Sequence, residues 1–190
     1  CNTASTIALG MVRDVLEVPI VGTVPAIKPA AAQSRTGVIG LLGTGATIRQ
    51  GYVDRLEAEF AADKRLLRHA APELVEAAEA RLRGLPVDPA VFERAADGLR
   101  TLAGGVAIDT VVLACTHFPL IAADLAEAFG PGVSFVDGAA GIARRIAFLT
   151  QGQPWQRAVP DIALFTRDGQ ELAQLAPALA LEGLSETGVF

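Results

Sequence analysis

Two cysteines are the residues of this chain best suited to chemistry, and they occur in similar settings. Cys1 opens the segment CNTAS and Cys115 lies within LACTHFPL, and the 190 residues contain no other cysteine. A thiol at the start of a helix is favoured in its ionised form by the backbone N–H groups and the helix dipole. Two thiols on opposite sides of a Cα atom could therefore work as a pair. One would remove a proton as thiolate, and the other would return a proton to the opposite face.

The chain around Cys115 indicates how such a thiol would be positioned. The apolar run over residues 108–114 predicts a buried parallel strand, and a helix is expected to follow it. A thiol between the two lies at the carboxyl edge of the sheet, where α/β folds bind ligands. By the same plan a strand should precede Cys1, yet the sequence starts there. We therefore expect the beginning of the fold to be missing from this sequence.

The remainder of the chain alternates between the two kinds of element. Strands are predicted at residues 18–24, 38–42, 108–114, 133–136 and 162–166. Helices are predicted at residues 2–16, 26–32, 48–60, 72–83, 88–103, 118–129, 138–150 and after residue 169. Strands that alternate with helices of this length predict an α/β fold built on parallel strands with right-handed crossovers.

Small polar residues accumulate at the predicted strand-to-helix turns. Their hydroxyl and amide groups, with the N–H groups of the helix starts, can hold the carboxylate of a small ligand. The candidates are Asn2, Thr3, Thr44, Thr47 and Thr116. Three further residues are candidates for tuning the ionisation of the thiols. These are His117, which lies two residues after Cys115, and, with less support, Asp137 and Glu79.

Each of these residues also has a purely structural interpretation. Cysteine is often just a small buried hydrophobic residue. His117 could cap a helix instead of taking part in catalysis. Thr44, Thr47 and Asp137 could serve only as helix caps, which for Asp137 is the favoured interpretation from the residues alone. Glu79 would by default lie on a solvated helix face. His69 is expected to be solvent-exposed at a helix end, without a role.

Composition excludes several classes of function. Hydrophobic residues make up 51% and charged residues 19%, which argues for a folded globule and against disorder. The net charge is −5 and basic residues are scattered, which argues against nucleic acid as a partner. No stretch matches a membrane helix or a signal peptide. An acidic α/β chain with two distant cysteines is expected in the cytoplasm, where thiols stay reduced.

The sequence also argues against a bound cofactor or metal. Lys28 and Lys64 are the only lysines, and neither lies in a phosphate-binding context, so pyridoxal phosphate is not expected. Two histidines and two cysteines at these spacings form no zinc motif. We therefore predict chemistry carried out by side chains alone, with neither a cofactor nor a metal ion.

The two cysteine segments resemble the signature segments of the cofactor-independent glutamate racemases, in the aspartate/glutamate racemase superfamily. The segment GTGATI, with Tyr52 after it, resembles that family's Thr-x-x-Thr turn. The segment PELVEAAE resembles its Leu-Val…Glu segment, and FVDG resembles its strand with a terminal aspartate. The five segments agree with the family in order and spacing, so the resemblance covers most of the chain.

The resemblance implies a fold of two pseudo-symmetric lobes, each a parallel sheet flanked by helices, with the active site between them. Residues 1–24 and 137–190 would form the first lobe, which is incomplete here, and residues 25–136 would form the second. The implied activity is the interconversion of L- and D-glutamate without a cofactor, which supplies D-glutamate for peptidoglycan and so for cell-wall biogenesis and cell shape. The family also implies a homodimer.

Site roles follow from the resemblance position by position. Cys1 and Cys115 would be the two acid/base thiols. His117 and Glu79 would assist on the Cys115 side. The residues that would hold the charged groups of the substrate are Asn2, Thr3, Thr44, Thr47 and Thr116.

Two departures and two alternatives accompany this assignment. The family's opening Asp-Ser-Gly and Gly-Asp…Pro-Tyr-Gly segments are absent, because the sequence starts at Cys1. The carboxylate expected to assist Cys1 is absent with them, so we expect weak or no activity from the chain as written. One alternative is an aspartate racemase or another two-cysteine racemase, although His117 favours glutamate because aspartate enzymes tend to carry Glu there. The other alternative is a binding module without catalytic activity.

Overall fold

The computed structural model describes residues 1–154, 156 and 159–190. Its helices are α1 (Asn2–Val15), α2 (Ile27–Gln33), α3 (Gly45–Ile48), α4 (Gly51–Phe60), α5 (Glu73–Leu82), α6 (Ala90–Arg100), α7 (Ala122–Phe129), α8 (Ala139–Leu149) and α9 (Gln170–Leu181). Its strands are β1 (Val38–Gly43), β2 (Arg65–Ala70), β3 (Thr110–Leu113), β4 (Ser134–Val136), β5 (Ile162–Phe165) and β6 (Glu186–Val189). In this part of the chain no helix is both long enough and apolar enough to cross a bilayer.

Four strands form a parallel sheet in the order β2-β1-β3-β4. All four residues of β3 are buried, and so is all of β1 after its first residue. Helices cover both faces of such central strands, which explains why their sequences are continuous apolar runs. The predicted α/β fold with parallel strands is therefore confirmed, and it places β1 and β3 side by side at the centre.

The core divides between the two faces of this sheet. Leu42 of β1 faces a cluster formed by α5, α6 and α7, which includes the fully buried Phe118. Ile39 and Leu41 point the opposite way, into a cluster formed with α2 and α4 around Ile27. This alternation follows from the two-residue period of a strand. Each fully buried side chain of this size contributes about 1.5–3 kcal/mol to the stability of the fold. The two clusters therefore hold the sheet and the helices packed on its two faces in place.

A second, smaller sheet pairs β5 with β6, again in parallel. Among the described residues of β5, β6, α8 and α9 none is buried, and α1 buries only Asn2. Among the described residues, the buried apolar side chains all lie between Ala26 and Phe129. The described structure thus holds one well-packed body with less buried elements around it. The division into lobes at residues 24 and 136 stays a proposal.

The strand predicted at residues 18–24 is wrong. This segment forms no ladder and instead runs back along α1. The Ile20 carbonyl accepts a hydrogen bond from Arg13 Nη2 at 2.9 Å, and the Thr23 amide donates to Ser5 Oγ at 3.3 Å. Leu9 covers Gly22 so closely that a Cβ atom there would lie 2.6 Å from a leucine methyl group. The apolar residues therefore pack against a helix rather than within a sheet.

Two strands that the sequence pattern missed are β2 and β6. The residues of β2 are RLLRHA, whose charges suit an edge strand but conceal it from a hydrophobic pattern. The expectation for His69 is also wrong, because it lies half-buried in β2 rather than exposed at a helix end. Its ring covers Gly98 of α6, where a Cβ atom would meet Nε2 at 2.2 Å. His69 is therefore a packing residue.

Two predicted helices are interrupted. The helix expected at residues 48–60 begins only at Gly51, as α4, because a break at Arg49 and Gln50 separates it from the short helix α3. The helix expected at residues 118–129 begins with a 3₁₀ turn, Phe118–Ile121, that contains Pro119, and only then continues as α7. Proline removes a backbone donor, which favours a tight turn at this point.

Asp109 anchors the amino end of the four-stranded sheet. Its carboxylate accepts a hydrogen bond from Ser34 Oγ at 2.7 Å and from the amides of Arg35 and Thr36 at 2.7 and 2.9 Å. Partial desolvation raises the pKa of Asp109, but the hydrogen bonds from Ser34, Thr36 and Arg35 outweigh it and lower the pKa to about 2. The ionised carboxylate thus ties the loop after α2 to the start of β3.

We expect Asp109→Asn to lower the free energy of unfolding at pH 7 by about 1 kcal/mol, allowing for solvent screening. The folded-state pKa lies below the unfolded one, so the contribution is present above about pH 4 and is lost as the pH falls toward 2. Urea denaturation at pH 7 and pH 3 measures this. The difference in the free energy of unfolding between wild type and Asp109→Asn should be smaller at pH 3 than at pH 7. Asp14→Asn, at an exposed position, should match the wild type at both pH values. A constant gap would contradict the assignment.

Candidate functional site

The carboxyl edge of the four-stranded sheet brings two predicted segments together. Leu42 of β1 pairs with Leu113 of β3, and the Ala114 amide donates to the Leu42 carbonyl at 2.8 Å. The residues that follow, Thr44 after β1 and Cys115 after β3, therefore emerge at neighbouring points of this edge. Their chains then turn into α3 and into the 3₁₀ turn before α7. This is the position that the strand pattern predicted for Cys115.

The Cys1 segment reaches the same edge from α1. Thr3 Oγ1 lies 2.8 Å from Thr47 Oγ1, and Thr47 Oγ1 lies 3.2 Å from Thr44 Oγ1. Thr44 also caps α3, since its hydroxyl accepts a hydrogen bond from the Thr47 amide at 3.4 Å. Thr47 is only 1% exposed, so its hydroxyl is held by these neighbours. A chain of three hydroxyl groups thus links the start of α1 to the turn after β1.

Cys1 occupies the N-cap position of α1 and is exposed. Among the described residues, no side chain caps the start of this helix. Asn2 is 5% exposed, and its Oδ1 accepts a hydrogen bond from Thr23 Oγ1 at 3.1 Å. The open N–H groups of the first turn and the helix dipole therefore act at the position of Cys1, where they favour a thiolate.

Cys115 begins a relay of polar side chains. Its Sγ lies 3.7 Å from His117 Nδ1, and His117 Nε2 lies 2.8 Å from Glu79 Oε1. The other carboxylate oxygen of Glu79 accepts a hydrogen bond from Arg83. The structure therefore brings together three residues that the sequence proposed and adds Arg83, which the sequence analysis missed. Glu79 thus contacts two side chains of the site, while its own side chain stays 39% exposed on the helix.

The charge of Glu79 determines which proton His117 carries. The hydrogen bond from Arg83 lowers the pKa of the Glu79 carboxyl most, with a further lowering from His117, against partial desolvation that raises it. Glu79 is therefore ionised at neutral pH and accepts the proton on Nε2. In neutral imidazole this leaves Nδ1 as an acceptor toward the thiol, and in imidazolium Nδ1–H faces a thiolate. The relay can thus exchange a proton with Cys115.

The remaining candidates have simpler surroundings. Thr116 is exposed between Cys115 and His117. Asp137 Oδ1 accepts a hydrogen bond from the Ala139 amide at 2.7 Å, but the N-cap residue of α8 is Gly138, so the interpretation of Asp137 as the N-cap is wrong. Within the part of the chain that the structure describes, no three histidine, cysteine or acidic residues lie close enough together to hold a metal ion.

A separate cavity of about 490 Å³ lies beside α2, α4 and α8. Much of its lining is apolar, with Leu56 and Phe60 among the residues that contribute. Its charged lining comprises one carboxylate, Asp137, and four cations, namely Arg13, Lys28, Arg144 and Arg145. Lys28 Nζ lies 5.0 Å from the centre of the Phe60 ring. The cavity therefore suits a ligand that combines an apolar or aromatic part with negative charge. No local sequence pattern indicates this cavity, because its residues come from distant segments.

A parallel α/β fold that carries one thiol at a helix start and a second thiol on a histidine–carboxylate pair defines a class of proton-transfer enzymes. The sequence matches the family of Asp/Glu/hydantoin racemases over residues 1–146. The chain belongs to this family, whose members are isomerases.

Relatives narrow the class to glutamate racemases. The chain is 63% identical over 182 residues to the glutamate racemase of Sphingopyxis alaskensis, with 93% of this chain and 68% of the relative covered. It is 46% identical over 149 residues to the glutamate racemase of Pectobacterium carotovorum, with 78% of this chain and 52% of the relative covered. The chain thus spans about two thirds of the first relative and about half of the second. The resemblance drawn from the cysteine segments is confirmed.

Solved structures agree with this placement. The Escherichia coli glutamate racemase in complex with L-glutamate and the activator UDP-MurNAc-ala matches all of this chain with a TM-score of 0.90 at 36% identity. The match covers 71% of the Escherichia coli chain. The glutamate racemase isoform RacE1 of Bacillus anthracis has the same fold, with a TM-score of 0.77 at 22% identity.

Proposed function

We propose that the protein interconverts L- and D-glutamate by a two-thiol mechanism, in which one of Cys1 and Cys115 removes the Cα proton and the other returns a proton to the opposite face. The observation that carries this proposal is the Cys115–His117–Glu79 relay, at the sheet edge to which Thr3 ties the start of α1. The proposed setting is the cytoplasm, where free thiols persist, and the product would supply D-glutamate for peptidoglycan.

The proposed reaction has two proton transfers. The thiolate on one side takes the Cα proton, so that a C–H bond breaks and an S–H bond forms. The thiol on the opposite side then gives its proton to the other face of the same carbon, which inverts it. The two cysteines exchange acid and base roles with the direction of reaction. On the Cys115 side, His117 and Glu79 stabilise the thiolate.

The substrate would be held by neutral donors at the two helix starts. The exposed Thr116 and the partly buried Thr44 stand beside Cys115 on the sheet edge. Thr3 is their counterpart on α1, and Thr47 holds it in place. Asn2 is fixed by Thr23 at the back of the same turn. Carboxylates bind well to such clusters of N–H and hydroxyl groups, so we assign the charged ends of glutamate to these five residues.

Circular dichroism at 200–220 nm tests the assignment on the full-length gene product. We expect the signal of D-glutamate to decay to zero and that of D-aspartate to persist. If aspartate is inverted and glutamate is not, the substrate assignment changes from glutamate to aspartate. If neither amino acid inverts, a binding module without catalytic activity becomes the better account.

We further propose that the 490 Å³ cavity binds an anionic effector of the kind that the Escherichia coli relative carries as its activator. UDP-MurNAc-ala combines phosphates with an aromatic base and sugars. The cavity offers four cations for the charge and aromatic rings for the base. The support is this chemical match between the ligand of the relative and the lining of the cavity.

The two lysines provide a matched test of this effector site. Lys28 lines the cavity, whereas Lys64 pairs with Asp63 on the surface. In calorimetric titration with UDP-MurNAc-ala, Lys28→Ala should weaken binding about tenfold because a charge-assisted contact is lost. Lys64→Ala should leave the affinity unchanged. Equal effects of the two substitutions, or no binding to the wild type, would contradict the effector site without touching the racemase assignment.

The family also implies a homodimer, which we retain as a proposal. Sedimentation equilibrium would measure the mass of the assembly directly. A mass equal to one chain across the micromolar range would reject the dimer.

A further inference from the structure

We propose that Arg83 is a positioning residue for the Cys115 side of the site, because it fixes Glu79 and thereby holds His117 toward the thiol. The inference rests on the proposed function, since it concerns the reactivity of one of the two thiols. Among the described side-chain contacts, Arg83 touches neither the thiol nor the predicted substrate-binding residues. Its effect would be transmitted through two side chains.

The contacts of Arg83 are those of a clamp. Arg83 lies one helical turn after Glu79, where side chains four residues apart meet. Its Nη1 donates to the Glu79 main-chain oxygen at 2.9 Å and also to the Glu79 carboxylate. One guanidinium nitrogen therefore binds both the backbone and the side chain of the same residue. This geometry selects the rotamer of Glu79 in which the second carboxylate oxygen points to His117.

Exposure indicates why a clamp is needed. The Glu79 side chain is 39% exposed and the His117 side chain 34%, whereas that of Arg83 is only 19% exposed. A carboxylate that exposed can swing into water, where it would gain rotamer freedom and lose the imidazole. The side chain of Arg83 is the least exposed of the three, so its position is the most restricted and it holds the Glu79 carboxylate in place. The fixed end of the relay is therefore the arginine and not the carboxylate.

The charges around Arg83 leave Glu79 as its close acidic partner among the described side-chain contacts. Arg167, Asp168 and Glu171, from the end of β5 and the start of α9, line a cavity of about 530 Å³ together with Arg83. Of these, Arg167 and Glu171 pair with each other at 3.6 Å. On α5 itself, Arg81 pairs with Asp124 of α7 rather than with Glu79. The two arginines of this helix end thus have separate tasks.

Loss of the clamp should be visible at one sulfur. Without Arg83, Glu79 is released, the Nε2–H of His117 loses its acceptor, and Nδ1 no longer stays 3.7 Å from Sγ. The imidazole then stabilises the thiolate less. Cys1, which depends on the start of α1, has no part in this relay. The proposal therefore predicts a change in the reactivity of Cys115 alone.

Alkylation by iodoacetamide provides the test, because it reports thiolate and needs no turnover. Trypsin releases Cys1 in a peptide that ends at Arg13 and Cys115 in the peptide 101–144, so mass spectrometry follows both sulfurs in one sample. At pH 7, Arg83→Gln should slow the alkylation of Cys115 by about threefold to tenfold and leave Cys1 unchanged. Arg83→Lys, which keeps the charge, should restore part of the rate. Arg81→Gln, the control on the same helix, should match the wild type.

Three results would overturn the proposal. One is an unchanged rate at Cys115 in Arg83→Gln. Another is an equal change at both cysteines, which would indicate loosening of the whole fold. The third is the same slowing in Arg81→Gln. A failed racemase assay would overturn the proposed function but not the clamp. A change in alkylation rate confined to Cys115 would still show that Arg83 positions the relay.

Discussion

Cys1→Ser and Cys115→Ser are each expected to lower the rate of glutamate racemisation by on the order of 10²–10⁴ or more. A serine hydroxyl is far less acidic than a thiol, so it cannot accept the Cα proton as its conjugate base at neutral pH. Each variant therefore lacks one cysteine, which acts as the base in one direction of the reaction and as the acid in the other. The rate is measured by circular dichroism on D-glutamate with the full-length gene product. Near-normal turnover in either variant would refute the two-thiol mechanism.

Heavy water separates the two thiols further. The wild type should place deuterium at Cα of the product during turnover, because the returned proton comes from a thiol that exchanges with solvent. Each single variant keeps one thiol, which can still remove and return a proton on its own face. Cys1→Ser and Cys115→Ser should therefore exchange deuterium into opposite enantiomers without inversion. Product that retains its original hydrogen would rule out proton exchange altogether.

Phe118→Ala is expected to lower the free energy of unfolding by about 3–5 kcal/mol. Phe118 follows His117, is fully buried, and lies in the same cluster as Leu74 of α5 and Leu125 of α7. Its removal leaves a void beneath the turn that carries the Cys115 relay. The loss therefore combines transfer free energy with a cavity that close-packed neighbours fill only in part.

Urea denaturation followed by far-ultraviolet circular dichroism measures this loss. Phe148→Ala is the matched control, since Phe148 is 65% exposed and should change the free energy of unfolding by less than about 0.5 kcal/mol. If Phe118→Ala lowers the free energy of unfolding by no more than Phe148→Ala does, the turn after β3 does not depend on the core beneath it.

The central strands and their covering helices could be predicted because burial on both faces leaves a continuous apolar run. β3 illustrates this, with residues 108–114 predicted and Thr110–Leu113 observed. β2 was missed because an edge strand tolerates charge, here Arg65 and Arg68. The segment 18–24 was mistaken for a strand because apolar content alone does not distinguish a sheet from the surface of a helix. A segment becomes a strand only when a neighbouring strand is available to pair with it, and that depends on the whole fold.

The site shows a similar limit. The thiols and the His117 neighbour of Cys115 are evident from local sequence. Glu79 is 38 residues from His117, and Thr3 is 44 residues from Thr47, so only tertiary structure or a family resemblance joins them. Arg83 did carry a local signal, the four-residue spacing from Glu79 on one helix. That signal is common on solvated helices, which is why spacing alone does not distinguish a clamp from an ordinary surface ion pair.

The anchor at Asp109 and the relay at Cys115 lie at opposite ends of the same strand. Cys115 lies six residues after Asp109, which corresponds to about 20 Å of extended chain. Energy terms so far apart, with no shared partner, add independently. Heat tolerance and turnover can therefore be engineered separately in this protein. Substitutions around the Ser34–Asp109 loop would adjust the melting temperature, while those around the cysteines would adjust catalysis.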